Sequence, residues 1–174
     1  TSFWSINANI NDGYPYLKNL SDTCITPTIS GTTSLCVGAS TTLTGSGTAA
    51  ATSPWTSSDI AVATVLQGVV TGVDAGTVTI TYTDDNGCST TENITVNALP
   101  AAPTTSDIDY CQDQTATALF ATAITAHSLV WYDTDGVSVL SSAPTPSTTT
   151  SGTTTYYVAQ SNDNTGCEGP QASI

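Results

Sequence analysis

The landmarks Cys36, Trp55, Gly76 to Tyr82 and Gly87-Cys88 recur in the same order as Cys111, Trp131, Gly152 to Val158 and Gly166-Cys167. Their spacings recur too: Cys to Trp takes 19 positions and then 20, and Cys to Cys takes 52 and then 56. A chain that repeats itself in this way folds as two copies of one unit, here about 75 residues each. Between them lies Asn97-Ala98-Leu99-Pro100-Ala101-Ala102-Pro103, whose prolines favour an extended, spacing link over a freely tumbling one. The expected layout is an upstream segment 1–23, a first domain 24–98, a linker 99–103 and a second domain 104–174 whose last strand is incomplete.

About one residue in five is threonine, and the good helix formers are scarce, with no methionine at all. Such a composition favours strands. Short β-type runs at Thr41 to Gly45, Gly68 to Val73, Val78 to Thr83 and Ile94 to Asn97 are separated by turn residues, Asp84-Asp85-Asn86-Gly87 among them. The fold class expected is all-β, with two tandem sandwiches. A sandwich of this size buries only about 60% of its unfolded surface, so covalent staples are expected.

The charge balance removes several functions. Fourteen Asp and Glu stand against one Lys or Arg, a formal net charge of −13. Nothing is available to neutralise phosphates, so nucleic acid is not an expected partner, and neither is an anionic membrane surface. No run of 18 apolar residues and no signal-peptide pattern occur, so membrane insertion is not expected. A start at Thr1 without methionine reads as a piece of a longer, processed protein. Catalysis is not expected either, because the single His127 lacks a nucleophile motif and reads as an exposed residue at a strand start. The acidic residues cluster in turns, which does not suit the paired carboxylates of a glycosidase.

Trp55-Thr56-Ser57-Ser58, Val62-Ala63-Thr64-Val65, Gly68-Val69-Val70-Thr71-Gly72 and Ala75-Gly76 through Tyr82 resemble the group 2 bacterial immunoglobulin-like domain. The second copy has Tyr110-Cys111, Trp131-Tyr132, Ala143-Pro144-Thr145-Pro146, Gly152 to Val158 and Gly166-Cys167. It resembles the immunoglobulin-like repeats of very long surface proteins that gliding bacteria export by the type 9 secretion system. Phe3-Trp4-Ser5-Ile6 and Asn11-Asp12-Gly13-Tyr14-Pro15-Tyr16-Leu17 are similar to the closing segment of a repeat-built β-solenoid. The resemblance implies an extracellular stalk in a giant gliding-motility adhesin, with neighbouring domains of the same chain and an extracellular polysaccharide or surface as partners. A rival reading is a carbohydrate-binding or spacer segment of a secreted polysaccharide-degrading enzyme.

Trp55 and Trp131 are expected to fill the two cores. Trp131-Tyr132 and Tyr156-Tyr157 alternate in direction on a strand, so one of each pair is a candidate for stacking on a sugar. No cofactor is expected; the calcium candidates are Asp84, Asp85, Asp133 and Asp135, in turns whose Asp, Asn and Gly also suit a hairpin. Asn162-Asp163-Asn164 is a third turn of this kind, and none completes a calcium loop. Lys18, the only candidate for an isopeptide crosslink, lies before both domains, and it is also the only tryptic site. The triplets at Asn19 and Asn93 match the N-glycosylation pattern, which has no expected meaning in a bacterial protein.

The five cysteines allow two arrangements. One bridge per domain would pair Cys36 with Cys88 and Cys111 with Cys167, leaving Cys24 over. In an immunoglobulin-like sandwich, however, Cys36 precedes the turn Val37 to Ser40 at one end of the domain and Cys88 follows the last hairpin at the other, roughly 20 Å away. Bridged Cα atoms lie within about 7 Å. Stacked domains favour a ladder instead: Cys36 with Cys167, Cys24 with Cys88, and Cys111 with a following domain.

Overall fold

The structure, a computed structural model, describes residues 24–174. The solenoid-like segment, Lys18 and the Asn19 triplet lie outside the described residues. Among the described residues every regular element is a strand.

In the first domain, alternation of threonine with aliphatic side chains sets the architecture. β1 (Ile29–Ser30), β2 (Ser34–Cys36), β3 (Ser40–Thr42), β4 (Thr44–Gly45), β5 (Trp55–Ser57), β6 (Ala63–Leu66), β7 (Val69–Gly72), β8 (Gly76–Thr83) and β9 (Ser89–Asn97) follow in order. β8 turns Val78, Ile80 and Tyr82 inward and its threonines outward, the period of two that a half-buried strand requires. One sheet has the order β2-β9-β8-β5, with β2 parallel to β9 so that Cys36 lies beside Asn97; the other has the order β3-β7-β6. Between them pack Leu35, Leu43, Val70, Val78, Ile80 and Ile94.

Trp55 stands at the rim of this core, contrary to the expectation that it fills the centre. It is half-buried on β5 and leans on Tyr82, with ring centroids 4.6 Å apart. Gly45 explains the exchange: a Cβ there would fall 2.4 Å from the Tyr82 ring, so the missing side chain makes room for the tyrosine.

The second domain contains β10 (His127–Tyr132), β11 (Val139–Leu140), β12 (Tyr157–Asn162) and β13 (Ala172–Ser173), in the sheet order β11-β10-β12-β13. Its other layer is extended chain with little ladder, which brings Leu119 and Ala121 against Trp131, Val158 and Ile174. Pro144 and Pro146 lie in this layer and donate no backbone hydrogen bond, which weakens any ladder there. The strand expected from Gly152 begins only at Tyr157.

The duplication nonetheless reaches individual hydrogen bonds. Leu43 N donates to Gly68 O at 2.8 Å, and Leu119 N donates to Pro144 O at 2.8 Å, both leucines being buried. Gly38 N donates to Gly72 O at 3.0 Å, as Asp113 N does to Thr148 O at 3.0 Å.

Candidate functional site

The site built by these domains is the junction between them. Cys88 immediately precedes β9 and Cys36 lies beside its last residue, so along that strand the two cysteines stand about 27 Å apart. A bridge between them is out of reach. The structure joins Cys36 to Cys167 and Cys24 to Cys88, each with a Cα separation of 5.6 Å. The pairing within domains, Cys36 with Cys88 and Cys111 with Cys167, is not formed.

Matching turns present Cys88 and Cys167. Asp84 N donates to Cys88 O and Gly87 N to Asp84 O; Asn162 N donates to Cys167 O and Gly166 N to Asn162 O. The buried Asp84 carboxylate accepts from Asn86 N at 3.0 Å and Cys88 N at 2.8 Å. Asn162 Oδ1 accepts from Asn164 N at 2.9 Å and Thr165 N at 3.1 Å. Satisfying the turn amides in this way fixes each cysteine at the end of its domain.

The linker is seated on the second domain. Pro100 and Pro103 are buried. Gln160, on β12 and fully buried, donates from Nε2 to Ala101 O at 2.7 Å and accepts from Ile124 N at 2.9 Å. Gly169, two residues past Cys167, sits so close to Pro100 that any side chain would meet it. Within the second domain, the hydroxyl of the buried Tyr132 donates to Oε1 of Glu168, the residue after Cys167. Its pKa is pushed up to about 12, first by burial and then by the Glu168 carboxylate, which favours the neutral phenol. A covalent bond, a buried amide and a close backbone contact thus fix one domain on the next.

The other candidates fall outside this junction. Asp135 accepts from Val137 N and Ser138 N at 2.8 Å each and from Ser138 Oγ at 2.6 Å, which holds its pKa down to about 2. Asp133 accepts from Thr134 N at 2.7 Å, and Asp85 from Asn86 Nδ2 at 3.2 Å. These carboxylates serve their own turns, and among the described residues no three His, Cys, Asp or Glu side chains gather as a metal group. His127 begins β10 as expected but is half-buried, its Nδ1 donating to Thr125 O at 2.9 Å. Trp131 and Tyr156 pack on the core cluster while Tyr132 and Tyr157 lie outside it, so the expected alternation holds, but Tyr132 is buried and Tyr157 half-buried. The Tyr132 hydroxyl is held by Glu168.

Cys111 is an exposed, unpaired thiol. Its turn copies that of Cys36: Ala39 N donates to Cys36 O at 3.0 Å and Gln114 N to Cys111 O at 3.1 Å. Gly38 and Asp113 hold the same left-handed position, at φ 81° and 61°.

Two sheeted units with repeated backbone bonds, joined by a disulfide, form a tandem of all-β immunoglobulin-like domains. Residues 24–96 match the bacterial Ig-like domain (group 2), and residues 100–174 match the Ig-like domain, CHU_C associated. Domains of these families are typically non-catalytic. No curated protein matches the chain.

Proposed function

We propose that this chain is a spacer segment of a large exported surface adhesin of the gliding-motility type, one in which bridged domains hold an adhesive tip away from the cell. The Cys36–Cys167 bridge carries the reading: both cysteines lie outside the two hydrophobic clusters, and the bond ties one domain to its neighbour. Two disulfides suit an oxidising environment outside the cytoplasm. Cys111, held in the same turn as Cys36, bonds in this reading to a following domain through a cysteine placed like Cys167. Neighbouring domains are then the immediate partners, and an extracellular polysaccharide or solid surface is the target of the tip.

Antibodies to this segment should decorate intact cells in immunoelectron microscopy, and cells lacking the parent protein should attach and spread poorly. Antigen found only in the medium, attached to a polysaccharide-degrading domain, would replace the adhesin with the accessory segment of a secreted enzyme.

A further inference from the structure

The two turns that present the junction cysteines differ in one exchanged pair of side chains. In the first domain Ala49 lies opposite Asp84 in an isolated antiparallel bridge, and Asp85 N donates to Thr48 O at 2.8 Å. In the second domain His127 lies opposite Asn162, and Asp163 N donates to Ala126 O at 3.0 Å. The duplication therefore puts His127 where the first copy has Ala49, and the amide of Asn162 where it has the carboxylate of Asp84.

The bonds around this pair fix the protons within it. Thr125 O can only accept, so His127 Nδ1, 2.9 Å away, carries the ring hydrogen and Nε2 keeps a lone pair. Asn162 Oδ1 is taken by the Asn164 and Thr165 amides at 2.9 and 3.1 Å. Its Nδ2 therefore faces Nε2, at 3.4 Å, and donates to it. A second proton on the ring would set N–H against N–H. Turning the amide over relieves the conflict, but it gives Oδ1 to the ring and takes it from the two turn amides. The carboxylates of the neighbouring segment are Asp163, which accepts from Ser128 Oγ at 2.6 Å, and Glu168, held by Tyr132. Both are bonded to residues on the face of β10 opposite His127, so it is Asn162 that meets the added proton.

We infer that His127 and Asn162 form a proton-operated latch on the turn that seats Cys167, closed while the ring is neutral and released when it is protonated. Release loosens the turn beside the bridge while the Cys36–Cys167 bond keeps the domains joined, so acid makes the joint pliable without parting it. The first domain, with alanine opposite Asp84, has no such latch. The device belongs to the junction itself and does not depend on which longer protein carries it.

The test follows the His127 ring and the turn amides by NMR from about pH 8 to about pH 5, across the ordinary imidazole range. Protection is taken relative to the unfolded exchange rate at each pH. As the ring takes up its proton, protection at Asn164 and Thr165 should fall at least about threefold, while Asn86 and Cys88 in the first domain keep theirs. His127→Ala, which copies the first domain, should abolish the change. Asn162→Asp should abolish it too, because a carboxylate accepts from the turn amides and from a protonated ring at once. A ring that stays neutral throughout, unchanged protection while the ring titrates, or the same loss in either variant would overturn the proposal.

Discussion

A Cβ placed on Gly169 would lie 2.1 Å from the carbonyl oxygen of Pro100, closer than any real contact, so the linker rests on a surface that only glycine provides. The obstacle is backbone and cannot swing aside as a side chain would. Gly169→Ala should lift the linker from the second domain and cost about 1–3 kcal/mol, with both domain cores intact. Chemical shifts confined to residues near Pro100 and Gly169, together with a lower denaturation midpoint, are the expected signature.

Gln160 tests the same junction through polarity. Replacing it with leucine keeps most of the volume but leaves Ala101 O and Ile124 N without the partners they have now. A group left without a partner costs about 1–3 kcal/mol where water cannot reach it. Gln160→Leu should therefore be clearly destabilising in urea unfolding, although the change is towards a more apolar core. An unchanged midpoint would show that water supplies the lost bonds.

Tyr132 gives the second domain an alkaline limit. The phenol ionises at about 12 when folded, against an ordinary value of 10.0. Below pH 10 its contribution to stability is complete; as pH rises from 10 through 12 the unfolded chain releases its proton first, and the contribution is lost. The wild-type unfolding midpoint should fall more steeply between pH 9.5 and about 11.5 than that of Tyr132→Phe, which has no proton to lose there.

Removing the bridge between domains should separate domain stability from domain arrangement. In the Cys36→Ala, Cys167→Ala protein neither hydrophobic cluster loses a member, and only the sulfur of the buried Cys167 is removed from the interior. Each domain should keep its strand signature in circular dichroism. Small-angle scattering should show a wider spread of interdomain angles, and the loss of so long a crosslinked loop should cost about 2–5 kcal/mol.

The duplication, the all-β class and the positions of the cysteines relative to the hairpins were legible in the sequence because each depends on spacing and local turn chemistry. Cys36 beside a turn at one end and Cys88 beside a turn at the other already make a bridge between them impossible. What was illegible depends on distant contacts. Gln160 reads as an outward polar residue on a strand, yet its partner Ala101 lies 59 positions away. Trp55 yields the core to Tyr82 because of Gly45, and no periodicity in the strand that carries Trp55 records that. The one local mark Gln160 leaves in the sequence is a polar residue after Val158 and Ala159, which names no partner.

The Cys36–Cys167 bridge also sets a limit on length. From Cys24 to Ile174 the shortest covalent route runs through the twelve links to Cys36, across the disulfide to Cys167, and through seven links more. Drawn out fully, that route measures about 70 Å, whereas the same ends without bridges could separate by about 500 Å. A load that tore open both sandwiches would gain almost no extension, because the residues released hang in closed loops beside the taut path. Only reduction of the Cys36–Cys167 bridge lets the segment pay out its chain.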